Sequence, residues 1–171
     1  MPPLRPKKYV FILLVAVLLL VACAYFLFPV PALTIVNLDG EREEHRVMVR
    51  VSAGDRFTIR YIHSVDRLPV YESFFVDHGH RLFLSETRFL MMGAGMSDSE
   101  GELGYDGQWT IIRNINREVS PFRLRVSSIA EQTLFINDRV IKLKEIAPES
   151  GVLKFEVRRI PIAYLTLAGG Y

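Results

Sequence analysis

The chain has 171 residues, of which 50% are hydrophobic and 23% charged, a composition typical of globular proteins and not of disordered ones. Its formal net charge of +2 is too small, and its basic residues too scattered, to favour nucleic acid as a partner. The single cysteine excludes an internal disulfide and a zinc site built from several cysteines.

The first predicted element is a transmembrane helix. Residues 9–28 form an uncharged apolar run of the length that an α-helix needs to cross about 30 Å of hydrocarbon. The basic residues are unevenly placed around this run. Arg5, Lys7 and Lys8 lie just before it, whereas the next basic residue after it is Arg42. The positive-inside rule therefore predicts a cytoplasmic N-terminus and a single pass through the inner membrane.

These features divide the chain into three parts. Residues 1–8 are predicted to be a cytoplasmic basic segment, 9–28 a transmembrane anchor, and 33–171 an exported domain in the periplasm or outside the cell. One alternative is a lipoprotein acylated at Cys23, because Leu20-Val21-Ala22-Cys23 resembles a lipobox, although the apolar run continues beyond it. A cleaved signal peptide is the other alternative. All three place the domain outside the cytoplasm.

The exported domain is predicted to be all-β, an antiparallel sandwich or a partly open barrel, because apolar residues alternate with period two between turn residues. The predicted strands are 32–37, 46–52, 56–63, 69–76, 81–92, 108–113, 121–128, 132–136, 139–144 and 152–167. Residues 93–107, with five glycines and four acidic residues, are predicted to form a long loop.

Three polar residues on successive predicted strands are expected on the same face of the sheet as the apolar residues of their strand: His63, Glu72 and Glu86. If the strands form a meander, Tyr61 is expected opposite Glu72, and Glu72 opposite Glu86. Two carboxylates on a half-buried face need a shared proton or a cation, and His63 is the nearest candidate. The group is expected to be a buried network that fixes strand register, with a metal or ligand pocket, or acid–base chemistry, as alternatives.

No catalytic residue is predicted. His63 and Ser64 are adjacent on one strand and point to opposite faces, so they do not form a base and a nucleophile. His78 and His80 flank a hairpin turn, where exposed turn histidines are more common than a transition-metal site. We therefore expect a binding or interaction protein instead of an enzyme.

Four segments carry a resemblance to a known family: Tyr61-Ile62-His63-Ser64-Val65, Pro69-Val70-Tyr71-Glu72, Glu86-Thr87-Arg88-Phe89 and Gly93-Ala94-Gly95-Met96. In this order they resemble the I-H-S-V, P-V-x-E, E-T-x-F and G-A-G-(L/M) segments of a bacterial family of domains of unknown function. Members of that family are often encoded beside tripartite periplasmic (TRAP) transporters of the TAXI type.

The resemblance implies an accessory or interaction role at the membrane subunit of such a transporter. It points to the polar cluster His63, Glu72, Glu86 and Tyr61 and to the glycine loop at Gly93 and Gly95, and it identifies neither a cofactor nor a metal. The alternative function is an exported binding module for a metal ion or a small anionic solute.

Overall fold

The computed structural model describes residues 6–39, 44–90 and 100–167. It begins with helix α1, Pro6–Leu27. Within the described residues, Lys8–Leu27 is the one helix long and apolar enough to cross a membrane, with a mean hydropathy of 3.1 and no part of it buried against the rest of the chain. The predicted anchor at residues 9–28 therefore coincides with a helix that has the length and composition of a membrane span.

Antiparallel strands in two sheets make up most of the remaining chain, as the period-two pattern predicts. The strands are β1 (Pro29–Asn37), β2 (Glu44–Arg50), β3 (Arg56–Ile62), β4 (Pro69–Val76), β5 (Leu82–Phe89), β6 (Glu102–Asp106), β7 (Trp109–Arg113), β8 (Arg117–Glu118), β9 (Phe122–Arg125), β10 (Thr133–Ile136), β11 (Arg139–Lys142) and β12 (Val152–Pro161). The small sheet has the order β2-β1-β12-β9, and the large sheet has the order β11-β10-β3-β4-β5-β7-β6, with β8 paired to β5. The predicted all-β class is confirmed, and the architecture is sandwich-like.

A column of four phenylalanine rings joins the two sheets. Phe57 of β3 stacks on Phe74 of β4 with ring centroids 5.0 Å apart. Phe74 stacks on Phe122 of β9 at 5.1 Å, and Phe122 stacks on Phe155 of β12 at 4.5 Å. Because the rings connect strands of both sheets, they tie the sandwich into one hydrophobic core.

Helix α1 leads directly into the centre of the small sheet. Phe28 alone separates α1 from β1. Strand β1 then pairs with β12 along all of its 9 residues, from Pro29 opposite Pro161 to Asn37 opposite Leu153. The β-domain is thus attached to the end of α1 without a flexible linker.

Two hairpin turns lie where the sequence predicts them. Asn137, with a φ of 50°, and Asp138 connect β10 to β11, since Ile136 lies opposite Arg139. The segment 77–81 connects β4 to β5, with the amide of His80 donating to the carbonyl of Asp77.

Four stretches differ from the prediction. The short strand β8 was not predicted, and the predicted strand 139–144 ends at Lys142, where a turn of 3₁₀ helix follows. Residues 102–106, predicted as loop, form β6, which pairs with β7 around a turn at Gly107. This strand has no buried residue on either face, and its two apolar side chains, Leu103 and Tyr105, are too few to mark a strand within a glycine-rich and acidic segment. The last predicted strand, 152–167, ends at Pro161, and helix α2 (Ile162–Leu167) follows. Six residues are too few for helical periodicity to be visible in a sequence.

Candidate functional site

Tyr61 and Glu72 form a hydrogen-bonded pair on the inner face of the large sheet. The Tyr61 hydroxyl donates to Oε1 of Glu72 at 3.2 Å. Glu72 lies on the same face of the sheet as the buried residues Val70 and Phe74, as predicted. Its strand partner is Ile59, while Tyr61 lies opposite Val70. The predicted pairing of Tyr61 directly opposite Glu72 is therefore wrong by two residues, but the two side chains still meet because diagonal neighbours on one face are within reach of a long side chain.

The environment of Tyr61 disfavours the ionised phenol. Burial, the negative charge of Glu72 and the hydrogen bond to that carboxylate, in decreasing order, raise the pKa of Tyr61 well above its usual value. The phenol therefore stays protonated at neutral pH and remains a donor to the carboxylate. The hydrogen bond from Tyr61 satisfies part of the hydrogen-bonding capacity of the half-buried Glu72 carboxylate.

Glu86 lies on the opposite face from Glu72, so the predicted pairing of the two carboxylates is wrong. A β-bulge interrupts the β4–β5 ladder: Ser73 lies opposite Glu86, but the next residue, Phe74, lies opposite Leu84. The extra residue in β5 shifts the alternation, and Thr87 instead of Glu86 faces Glu72 across the strands. Strict alternation from Leu84 cannot anticipate this shift.

On the outer face, Glu86 has a cationic partner. Its Oε2 lies 3.5 Å from Nε of Arg113, and its side chain is 35% exposed. Together with Arg56, Phe75 and Ser85, these residues line an open cavity of about 260 Å³. Glu86 therefore belongs to a surface ion pair and not to the inner polar pair.

His63 lies just after β3, in the loop that leads to β4. Its Nδ1 lies 2.9 Å from Oδ2 of Asp66. The loop is closed by backbone bonds, because the His63 amide donates to Leu68 and the Arg67 amide donates to His63. Asp66 is a partner of His63 beyond the predicted cluster, and the spacing of three residues across a short loop is its signal in the sequence.

Gly93 and Gly95, the residues predicted in the glycine loop, lie outside the described residues. The turn histidines His78 and His80 lie between the two members of an ion pair: Arg81 donates to the Asp77 carboxylate through its backbone amide at 2.7 Å and through its guanidinium. Across residues 6–39, 44–90 and 100–167, there is no group of three or more His, Cys, Asp or Glu residues placed to hold a metal ion.

The outer face of the large sheet, which is the face turned away from the small sheet, carries a group of functional candidates outside the predicted cluster. Arg60, Tyr71 and Arg88 lie side by side on β3, β4 and β5. The Arg88 guanidinium lies 4.5 Å from the centroid of the Trp109 ring, and the Tyr71 ring meets Trp109 edge-on at 5.6 Å. We call these four residues the arginine–aromatic row. All four are partly exposed.

A basic groove continues from one end of this row. Thr133 of β10 lies between Arg60 and Lys142, its partners on the two neighbouring strands. These residues, with Lys144, Gln132 and Glu131, line an open cavity of about 270 Å³. No carboxylate of the described residues forms an ion pair with Arg60, Lys142 or Lys144, so three cationic side chains share one groove without a fixed counter-charge.

Comparison with known proteins places the chain in a family. It belongs to the family described as a domain of unknown function, DUF1850, whose profile matches residues 57–143, about half of the chain. The matched region runs from β3 to the turn of 3₁₀ helix after β11 and contains Tyr61, Glu72 and the arginine–aromatic row. The resemblance to a family of unknown function is thereby confirmed. No curated protein and no solved structure matches the chain significantly.

Proposed function

We propose that this DUF1850 protein is a membrane-anchored accessory subunit whose β-domain lies on the periplasmic side and docks on the membrane subunit of a TAXI-type TRAP transporter. The observation that carries the proposal is the arginine–aromatic row on the outer face of the large sheet. Tyr, Trp and Arg are the residue types that contribute most to protein–protein binding. The transporter as partner rests on the family resemblance.

The attachment of the domain supports a partner in the same membrane. Because Phe28 alone separates α1 from β1, the domain cannot move far from the bilayer. A tether of this kind raises the effective concentration of the domain near other membrane proteins, so a modest interface is sufficient for stable association. A freely diffusing solute-binding module has no need of so short a connection.

Affinity purification of the tagged full chain in mild detergent, followed by mass spectrometry, tests the proposal. The transporter membrane subunit is the expected main partner. Arg88→Ala and Trp109→Ala should each weaken its recovery, because truncation at the centre of an interface costs about 2 kcal/mol, or about 30-fold in affinity. Arg123→Ala removes an exposed arginine from β9 of the small sheet and is the matched control. Loss of the partner in the control as well, or no transporter subunit in the wild-type sample, would reject the docking surface.

The basic groove favours a second candidate function, the binding of a small anionic solute. Three cationic side chains, Arg60, Lys142 and Lys144, supply positive charge without a fixed carboxylate partner among the described residues. The Thr133 hydroxyl between two of them donates to the Glu131 carbonyl at 3.1 Å, so the cations alone would bind an anion. Cations grouped in this way suit a carboxylate or a phosphate.

Calorimetric titration of the full chain with small dicarboxylates and with inorganic phosphate separates the two functions. The double variant Lys142→Gln/Lys144→Gln should abolish heat from anion binding and leave the recovery of the transporter subunit unchanged. Equal weak heats in the wild type and the variant would eliminate the solute-binding function.

A further inference from the structure

Helix α2 lies at the point where the anchor leaves the β-domain. Strand β12 ends at Pro161, opposite Pro29, the first residue of β1, and α2 follows immediately. The amide of Ile162, the first residue of α2, donates to the carbonyl of Phe28 at 3.2 Å. The end of α1 and the start of α2 are therefore fixed next to each other by a hydrogen bond and by the β1–β12 ladder.

The side chains of α2 divide between a buried and an exposed face. Leu165 is 4% exposed and packs in a small cluster with Val30 and Ile160, apart from the main core. On the other side, Tyr164 is 51% exposed and Leu167 is 87% exposed. The helix contains no charged residue, and the hydroxyl of its one threonine is occupied by helix carbonyls. An uncharged helix with exposed apolar side chains is poorly suited to water.

The position of α2 relative to a bilayer follows from the position of α1. A helix of six residues is about 9 Å long. The interfacial region on each side of the hydrocarbon core is about 5 to 7 Å thick. Since α2 begins within a hydrogen bond of the residue that follows the span, it starts inside that region when α1 crosses the membrane. Tyr25 and Phe28, both more than half exposed, lie at the same end of α1, where aromatic side chains mark the interface.

We infer that α2 lies in the bilayer interface, with Tyr164 and Leu167 inserted at the boundary between headgroups and acyl chains. This inference rests on the proposed function only in requiring that α1 spans the membrane, and it needs no transporter subunit. The anchor and α2 together give the β-domain two contacts with the bilayer. Two contacts restrict the tilt of the domain and so the direction in which the arginine–aromatic row faces.

Tryptophan fluorescence of the full chain in phosphatidylcholine vesicles tests the inference. The native Trp109 is first removed by Trp109→Phe. In that background, Tyr164→Trp and Leu167→Trp each report on α2, and Phe26→Trp reports on the anchor. Ile129→Trp is the control for an exposed position far from α2: Ile129 is 60% exposed and follows strand β9 at the end of the small sheet opposite Pro161, about 30 Å away along β12.

The expected result is blue-shifted emission from Tyr164→Trp and Leu167→Trp, quenched by lipids brominated near the carbonyl end of the acyl chains and protected from aqueous acrylamide. Ile129→Trp should be quenched by acrylamide alone. If Phe26→Trp is quenched by brominated lipid while both α2 variants behave like Ile129→Trp, the inference is wrong and the anchor stands. Protection of the α2 variants from lipid and acrylamide alike would assign α2 to a protein contact instead. If Phe26→Trp is not quenched by lipid, the membrane anchor itself fails.

Discussion

Removal of the Tyr61 hydroxyl is the sharpest test of the inner polar pair. Tyr61→Phe deletes the donor to Oε1 of Glu72 and leaves a half-buried carboxylate with one partner fewer. Hydrogen bonds to charged groups contribute about 1.5 to 3 kcal/mol. Because Tyr61 is partly buried and not enclosed, we expect the lower end, a loss of about 1.5 kcal/mol in the free energy of unfolding at neutral pH.

The pH dependence of this loss identifies its cause. The pKa of Tyr61 is raised in the folded protein by burial and by Glu72, whereas the phenol of the unfolded chain has a pKa of about 10. Below that pH both states keep the proton, and the contribution of Tyr61 is complete. Above it the unfolded chain alone releases the proton, so the contribution falls by about 1.4 kcal/mol per pH unit. Tyr61→Phe should therefore unfold more easily than wild type at neutral pH but lose less stability in alkali.

The assay is urea unfolding of the full chain in non-ionic detergent, followed by circular dichroism at several pH values. Tyr105→Phe removes the same hydroxyl from a side chain that is 70% exposed and serves as the control. Glu72→Gln should reduce the pH-dependent part, because the charge and the hydrogen bond of Glu72 are two of its three causes. A difference between wild type and Tyr61→Phe that is constant from about pH 8 to about pH 11 would refute the reasoning.

Three further predictions concern the fold. Phe74→Leu and Phe122→Leu should show a coupling of about 0.5 to 1.5 kcal/mol in a double-mutant cycle, since their rings stack at 5.1 Å, and additive losses would contradict the stacked column. The backbone amide and then the guanidinium of Arg81 hold the pKa of Asp77 below its usual value, so this pair stabilises the fold above about pH 3.9 and the contribution is lost as the pH falls through the depressed pKa. Thermal melting of Arg81→Ala should show a deficit at neutral pH that narrows in acid, and a deficit independent of pH would count against the pair. Gly101→Ala should cost about 1 to 3 kcal/mol, because Gly101 has a φ of 112° and an added Cβ would lie 2.6 Å from the Arg113 carbonyl oxygen, whereas Gly104→Ala meets nothing closer than 3.9 Å and should cost less in the same melts.

The elements that the sequence predicts well are those with one buried face. Strands β3 and β4 alternate buried and less buried residues along their length, and the hairpin at Asn137 carries a turn signature between two such strands. Alternation and turn chemistry are local properties, so they are readable without tertiary information. The inward position of Glu72 follows from the same alternation.

The errors have tertiary causes. The bulge in β5 moves Glu86 to the outer face, and its one trace in the sequence is that Phe89 is out of phase with Leu84. Strand register depends on which residues of two strands meet, and neither strand alone specifies it. The apolar positions of each strand do not reveal the arginine–aromatic row, because Arg60, Tyr71 and Arg88 occupy the alternate, outward positions of three predicted strands.

Site-specific photo-cross-linking in living cells tests the docking surface most directly. A photoreactive amino acid replaces Tyr71, at the centre of the arginine–aromatic row, and in a second strain it replaces Arg123 on the small sheet. The account predicts an adduct between the Tyr71 position and the membrane subunit of a TAXI-type transporter, identified by mass spectrometry, and none from the Arg123 position. Adducts of equal yield from both positions, or irradiation at position 71 that yields no transporter subunit, would contradict it.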